Sequence, residues 1–86
     1  MNVAQQIKRR LEDNFTISDL DIIDESHKHI GHSGYREGGE THFRIKMSSP
    51  DFIGMSRLEK QRRIHTLLKD LLETRIHALS LDLKDA

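Results

Sequence analysis

Two segments that alternate between apolar and polar residues are separated by a connection with two helix signals, and this arrangement limits the fold more than any other feature. Residues 41–48 and residues 76–83 both have the two-residue period of β-strands. Between them, Pro50 marks the start of a short helical turn, and Ser56 with Glu59 forms a capping box at the start of a longer helix. Such a connection is typical of a crossover between parallel strands. We therefore predict that the two strands lie parallel in one sheet.

Two further elements precede this unit. Residues 2–14 place an apolar residue at every fourth position, which predicts a helix, and residues 18–25 alternate loosely, which predicts a first strand. The loop of residues 26–40 that follows is rich in glycine and histidine and contains no helix signal. Because a loop without a helix does not easily make a crossover, the first two strands are predicted to pair antiparallel.

The long helix is predicted from about Arg57 to Thr74, because apolar residues recur there at helical spacing after the capping box. The predicted order is helix, strand, strand, short helix, long helix, strand. This order, αββααβ, gives a single α+β domain over residues 1–86, with helices on one face of a three-stranded mixed sheet.

Composition excludes several kinds of protein. The chain has 86 residues, with 14 Lys plus Arg against 14 Asp plus Glu, and no cysteine. A chain this short has a modest core and no recognisable catalytic motif, so we do not expect an enzyme. Without cysteine, any sulfur ligand in a metal site must come from another molecule. No apolar stretch reaches the length of a membrane-spanning helix or forms a signal-peptide core, so a soluble cytoplasmic protein without membrane contact is expected.

Topology, rather than proximity in the sequence, is predicted to bring several histidines together. The loop of residues 26–40 is expected to cap one end of the sheet, and a parallel last strand starts at that same end. His77 is predicted to lie one residue into this strand. It should therefore meet the loop histidines His27, His29 and His32, and neutral imidazole is a common metal ligand.

Other interpretations of these histidines stay open. His77 has the phase of the apolar residues of its strand, so it could be a hydrogen-bonded residue at the rim of the core. The loop histidines could be solvated, or could form a mononuclear zinc or copper site by themselves. His42 is predicted to face solvent from the second strand, and His65 lies on the long helix. We assign neither of these two a role.

The chain resembles the BolA family in the order and spacing of four segments that extend over nearly its whole length. The terminal IHAL motif and the ETHF motif are the most specific of these. The resemblance implies the BolA fold, a three-stranded arrangement similar to the class II KH domain. The segments are residues 24–29 (DESHKH), 39–45 (GETHFRI), 49–56 (SPDFIGMS) and 76–81 (IHALSL).

The resemblance also implies a function and its residues. Members of the family form a heterodimer with a monothiol glutaredoxin and share a [2Fe-2S] cluster with it and with glutathione, in iron-sulfur cluster trafficking and in iron and redox regulation. His77 matches the family's ligand at the start of the last strand, and His29 best matches the loop ligand. His32 is an alternative loop ligand, followed by His27. The free protein is expected to be a monomer or a weak homodimer.

A DNA-binding transcriptional regulator is the second hypothesis, suggested by the KH-like fold and by roles attributed to the family. KH domains contact the nucleic-acid backbone through a G-x-x-G loop. The corresponding residues 52–56 contain a single glycine, Gly54, so only weak DNA binding is expected. In addition, Arg62 occupies the position where the family commonly has a histidine, so any role of that histidine is absent here.

Overall fold

The computed structural model describes residues 2–26 and 39–86. The predicted α+β order is confirmed, with helices and strands in the sequence expected. In chain order the elements are α1 (Val3–Asn14), β1 (Asp19–Asp24), β2 (His42–Ser48), a 3-10 turn (Pro50–Phe52), α2 (Arg57–Leu67), α3 (Lys69–Thr74) and β3 (Ala78–Lys84).

The three strands form one mixed sheet in the order β1-β2-β3. Strands β1 and β2 are antiparallel, with Asp24 opposite Phe43, whereas β2 and β3 are parallel, with His42 opposite Ala78. Both predicted pairings are therefore confirmed. The register places the end of β1 and the starts of β2 and β3 at the same end of the sheet, which we call the histidine end.

The helix starts follow the sequence signals. The side chain of Asn2 accepts a hydrogen bond from the backbone N–H of Gln5 at the start of α1, and Ser56 does the same for Glu59 at the start of α2; both capping boxes are complete. Ser49 caps the 3-10 turn at Pro50. These bonds satisfy backbone donors that the first turn of a helix leaves without partners. Within residues 2–26 and 39–86, no helix has the length and apolar character needed to cross a bilayer.

The long helix predicted from Arg57 to Thr74 is in fact two segments. Leu68 has φ −104° and ψ 13°, outside the helical range, and separates α2 from α3. The backbone N–H of Leu72 donates to the carbonyl of Leu68 at 2.9 Å, so helical hydrogen bonding resumes directly after this residue. The prediction of one uninterrupted helix is wrong, because apolar spacing continues through a local distortion that involves neither glycine nor proline.

The core lies between the helices and one face of the sheet. Phe43, Ile45 and Met47 of β2 alternate into it, as predicted, and the rings of Phe15 and Phe52 pack with centroids 5.3 Å apart. Fully burying a side chain of this kind contributes about 1.5–3 kcal/mol. The remaining buried apolar residues are Val3, Ile7, Leu11, Ile64, Leu68, Leu71 and Ile76.

Candidate functional site

His77 lies at the histidine end of the sheet, directly before β3. Its backbone N–H donates to the carbonyl of Thr41 at 2.7 Å, and the N–H of Ala78 donates to the same oxygen at 3.2 Å. These two bonds fix the main chain at this point. The side chain of His77 is exposed. The prediction that His77 lies inside the strand is therefore wrong by one position, and the residue is not a buried histidine at the rim of the core.

His42 lies in a different environment from the one that strand alternation predicts. It was expected to face solvent, but only 5% of it is exposed. Its ring lies against that of His77, with centroids 5.2 Å apart and an interplanar angle of 51°. Its Nδ1 is 2.8 Å from the hydroxyl oxygen of Thr41. The exposed imidazole of His77 thus lies against a second imidazole that is buried and hydrogen-bonded.

A polar cluster holds His42 in place. The hydroxyl oxygen of Ser26 accepts the backbone N–H of Thr41 at 2.9 Å and that of His42 at 3.1 Å. One carboxylate oxygen of Asp24 accepts the N–H of Ser26 at 2.9 Å, and the other accepts the N–H of Glu40 at 3.0 Å. The two described ends of the loop are therefore joined to each other and to the start of β2.

Charged residues lie beside this cluster. The guanidinium of Arg44 is 3.2 Å from the carboxylate of Glu25, so a salt bridge connects β2 to the residue that follows β1. The carboxylate of Glu40 accepts the backbone N–H of Val3 at 3.0 Å, at the start of α1. An anionic acceptor is favourable at a helix N-terminus. The return of the loop to the sheet is thus attached to α1 as well as to β1.

The predicted loop ligands His27, His29 and His32 lie outside the described residues. The described ends of their loop, Ser26 and Gly39, are at the histidine end, together with His77. In the described part of the chain, no three His, Cys, Asp or Glu side chains lie close enough together to hold a metal ion. A metal centre at His77 therefore requires ligands from outside residues 2–26 and 39–86. His65 is exposed on α2.

One signal could have located His42. Strand alternation assigns a residue to a face of the sheet but does not say whether that face is covered. Because β2 is the central strand, its first residue has the end of β1 on one side and the start of β3 on the other. Ser26 and His77 contact His42 from these two neighbouring segments. A polar residue at the start of a central strand should therefore have been considered for burial.

A second surface feature is a groove between the end of α1 and α2. It has a volume of about 490 Å³, with Phe15, Met55 and Leu67 among its apolar lining and Arg62 and Arg63 among its charged lining. The guanidinium of Arg63 lies over the Phe15 ring, 5.3 Å from the centroid, in a cation–π contact. Met55 in the lining of this groove belongs to residues 52–56, which would correspond to the nucleic-acid-binding loop of KH domains.

The model of the BolA-like protein family matches residues 11–86. The chain belongs to the BolA family. It is 37% identical over 82 residues to the chloroplastic protein BOLA1 of Arabidopsis thaliana, an alignment that covers 93% of this chain and 51% of that relative. It is 36% identical over 83 residues to the DNA-binding transcriptional regulator BolA of Haemophilus influenzae, covering 96% and 77% of the two chains. The chain thus spans about half the length of the chloroplastic relative.

The fold agrees with a solved member of the BolA family. The BolA domain of SufE1 from Arabidopsis thaliana superposes with a TM-score of 0.82 and 34% sequence identity, over 94% of this chain and 88% of that domain. The family and the BolA fold inferred from the sequence motifs are both confirmed. The residues at the histidine end are the basis for a proposal about what this BolA-family protein binds.

Proposed function

We propose that the protein forms a heterodimer with a monothiol glutaredoxin and shares a [2Fe-2S] cluster with it and with glutathione. His77 is one protein ligand, and a loop histidine is the other. His29 is the first choice for the loop ligand, His32 the alternative, and His27 the next. The protein acts as an accessory factor in iron-sulfur cluster trafficking and in iron and redox regulation.

The exposed imidazole of His77 carries this proposal. It stands at the histidine end with its backbone fixed by Thr41, and the loop that bears three further histidines leaves from and returns to this end. An exposed imidazole on a fixed backbone suits a ligand that must be reached by a partner protein. A histidine serving only the core would instead be enclosed by it.

The donor chemistry supports the same proposal. The chain has no cysteine, so it supplies nitrogen ligands and leaves the sulfur ligands to the partner and to glutathione. Histidine ligates [2Fe-2S] clusters in Rieske centres, where it raises the reduction potential relative to all-thiolate ligation. When bound, such a cluster would supply electron storage or transferable iron and sulfide.

Cluster sharing can be tested by titrating the protein into a glutathione-containing monothiol glutaredoxin that carries the [2Fe-2S] cluster. The visible circular dichroism of the cluster should change, because imidazole replaces thiolate in its coordination shell. His77→Ala should abolish this change, and so should His29→Ala if His29 is the loop ligand.

His65→Ala is the matched control, since His65 is exposed on α2, and it should behave like the wild type. Calorimetric titration with the glutaredoxin lacking a cluster separates partner binding from ligation. If His77→Ala and the three single loop variants all leave the spectrum as in the wild type, the ligand assignment is wrong.

DNA binding is the second candidate, favoured by the basic groove and by the name of the Haemophilus relative. Arg62 and Arg63 are both exposed on α2, but Gly54 is a single glycine where KH domains have two. Fluorescence anisotropy with duplex DNA at increasing salt tests this candidate. Specific binding should show sequence preference and a salt slope that falls in the double variant Arg62→Gln and Arg63→Gln. Weak binding without sequence preference would contradict it.

A further inference from the structure

We infer that His42 is a positioning residue for His77, a role that rests on the proposed function because it concerns the same ligand. The inference comes from the contact between the two rings, with centroids 5.2 Å apart and planes inclined by 51°. This separation and tilt are within the range of favourable contacts between aromatic rings. His42 would act through His77 and would not itself contact the cluster.

The ring of His42 is well suited to serve as a fixed support. It is 95% shielded from solvent, and Nδ1 lies 2.8 Å from the hydroxyl of Thr41. Its backbone N–H donates to Ser26, and its carbonyl accepts the N–H of Glu25 at 2.7 Å. Main chain and side chain of His42 are thus both held by hydrogen bonds, so its ring has little freedom to move.

The ring of His77, in contrast, is exposed, and within residues 2–26 and 39–86 its hydrogen bonds are made by the backbone alone. Among the described residues, its ring contact is with His42. An exposed side chain ordinarily samples several rotamers, and ordering it on binding has an entropic cost. Contact with a fixed ring favours one orientation before the partner arrives. Outer-shell residues that orient metal-ligating histidines in this way commonly change metal affinity by 10- to 100-fold.

Two substitutions of His42 distinguish the effect of the ring contact from any effect of the ring nitrogens. His42→Ala removes the contact, whereas His42→Phe keeps an aromatic ring of similar shape without a nitrogen. In the free protein, NMR relaxation of the His77 ring should show a lower order parameter in His42→Ala and a nearly unchanged one in His42→Phe. If His42→Ala does not fold, as judged by circular dichroism, His42→Val replaces it, because valine favours strands.

The same variants are then titrated into the cluster-bearing glutaredoxin. His42→Ala should lower the apparent affinity on the order of tenfold, and His42→Phe should stay close to the wild type. With isotope-labelled histidine, electron–nuclear couplings of the reduced cluster should count the same number of imidazole ligands in the wild type and in both variants.

Two results would overturn the inference. If His42→Ala leaves both the order of the His77 ring and the affinity unchanged, His42 does not position His77. If His42→Phe loses one imidazole coupling, His42 is itself a ligand. Failure of the proposed function would give a different result. The spectrum of the cluster with His77→Ala would then equal that with the wild type, so His77 would not be a ligand and His42 could not position one.

Discussion

The guanidinium of Arg10 in α1 forms a two-pronged ion pair with the carboxylate of Asp70 in α3. One nitrogen binds Oδ1, and the other donates to Oδ2 at 2.8 Å. The first of these nitrogens also donates to the carbonyl of Leu67 at 3.3 Å. Arg10 therefore joins the first helix to the segment where α2 gives way to α3. Planar, two-point pairing of this kind is the strong form of an arginine–carboxylate contact.

This ion pair predicts a pH-dependent stability. The hydrogen bond from Arg10 lowers the pKa of Asp70 from 3.8 to about 2. In the unfolded chain the carboxylate takes up its proton at higher pH, so between these two pKa values the unfolded state binds more protons. The stability from this pair is present above the unfolded pKa and is lost as pH falls through the folded one. Unfolding by urea between about pH 6 and pH 2 should show this loss.

Asp70→Asn and Arg10→Gln provide the test. Each removes one partner, so each should flatten the acidic limb of the stability profile by a similar amount. Because the Asp70 side chain is 67% exposed, about 1 M salt should reduce the difference from the wild type. If Asp70→Asn loses stability at acidic pH as steeply as the wild type, other carboxylates account for that loss.

Two neighbouring apolar residues should respond very differently to truncation. Phe52 is fully buried and packs against Phe15, whereas Ile53 is 67% exposed. Phe52→Ala leaves a cavity and should lower the free energy of unfolding by about 3–5 kcal/mol. Ile53→Ala should change it by less than about 0.5 kcal/mol. Chemical denaturation of both variants measures the contrast, and equal losses would show that Ile53 is covered in solution.

Most of the fold was predictable from the sequence because it follows from local signals and chain length. The apolar spacing of residues 2–14 and the capping box at Ser56 defined where two helices start, and strand alternation identified the buried apolar residues of β2. The connection between β2 and β3 required a parallel pairing, which placed His77 at the correct end of the sheet. These inferences succeeded because each depends on a local capping motif, on periodicity or on connection length rather than on packing detail.

The wrong predictions concern features of the structure that side-chain packing determines. Apolar spacing runs unbroken through Leu68, so the sequence contains no sign that the helix is interrupted there. His42 has the phase of an exposed strand residue, and it contacts Ser26 and His77, which are both distant from it in the chain. No local sequence pattern indicates such a contact between distant residues. The loop histidines remain predictions, because they lie outside the described residues.

Ser26 should contribute to stability through the two backbone groups that it satisfies. It is 2% exposed, and its hydroxyl oxygen accepts the N–H groups of Thr41 and His42. Ser26→Ala removes this acceptor and should lower the free energy of unfolding by about 1–3 kcal/mol. Ser80→Ala, on the exposed side of β3, is the control and should have little effect. If both variants unfold at the same urea concentration, water replaces the Ser26 hydroxyl without loss.

His77 should be important for binding but not for stability, which separates a ligand from a structural histidine. Its side chain is exposed, and its hydrogen bond to Thr41 uses only the backbone N–H, which alanine retains. His77→Ala should therefore change the free energy of unfolding by no more than about 0.5 kcal/mol. His42→Ala removes a buried, hydrogen-bonded ring and should cost about 1–3 kcal/mol. Urea denaturation of the two variants in the same buffer measures both values. If His77→Ala lowers the free energy of unfolding as much as His42→Ala, the exposed ring supports the fold. The spectral effect of His77→Ala would then reflect unfolding rather than a missing ligand.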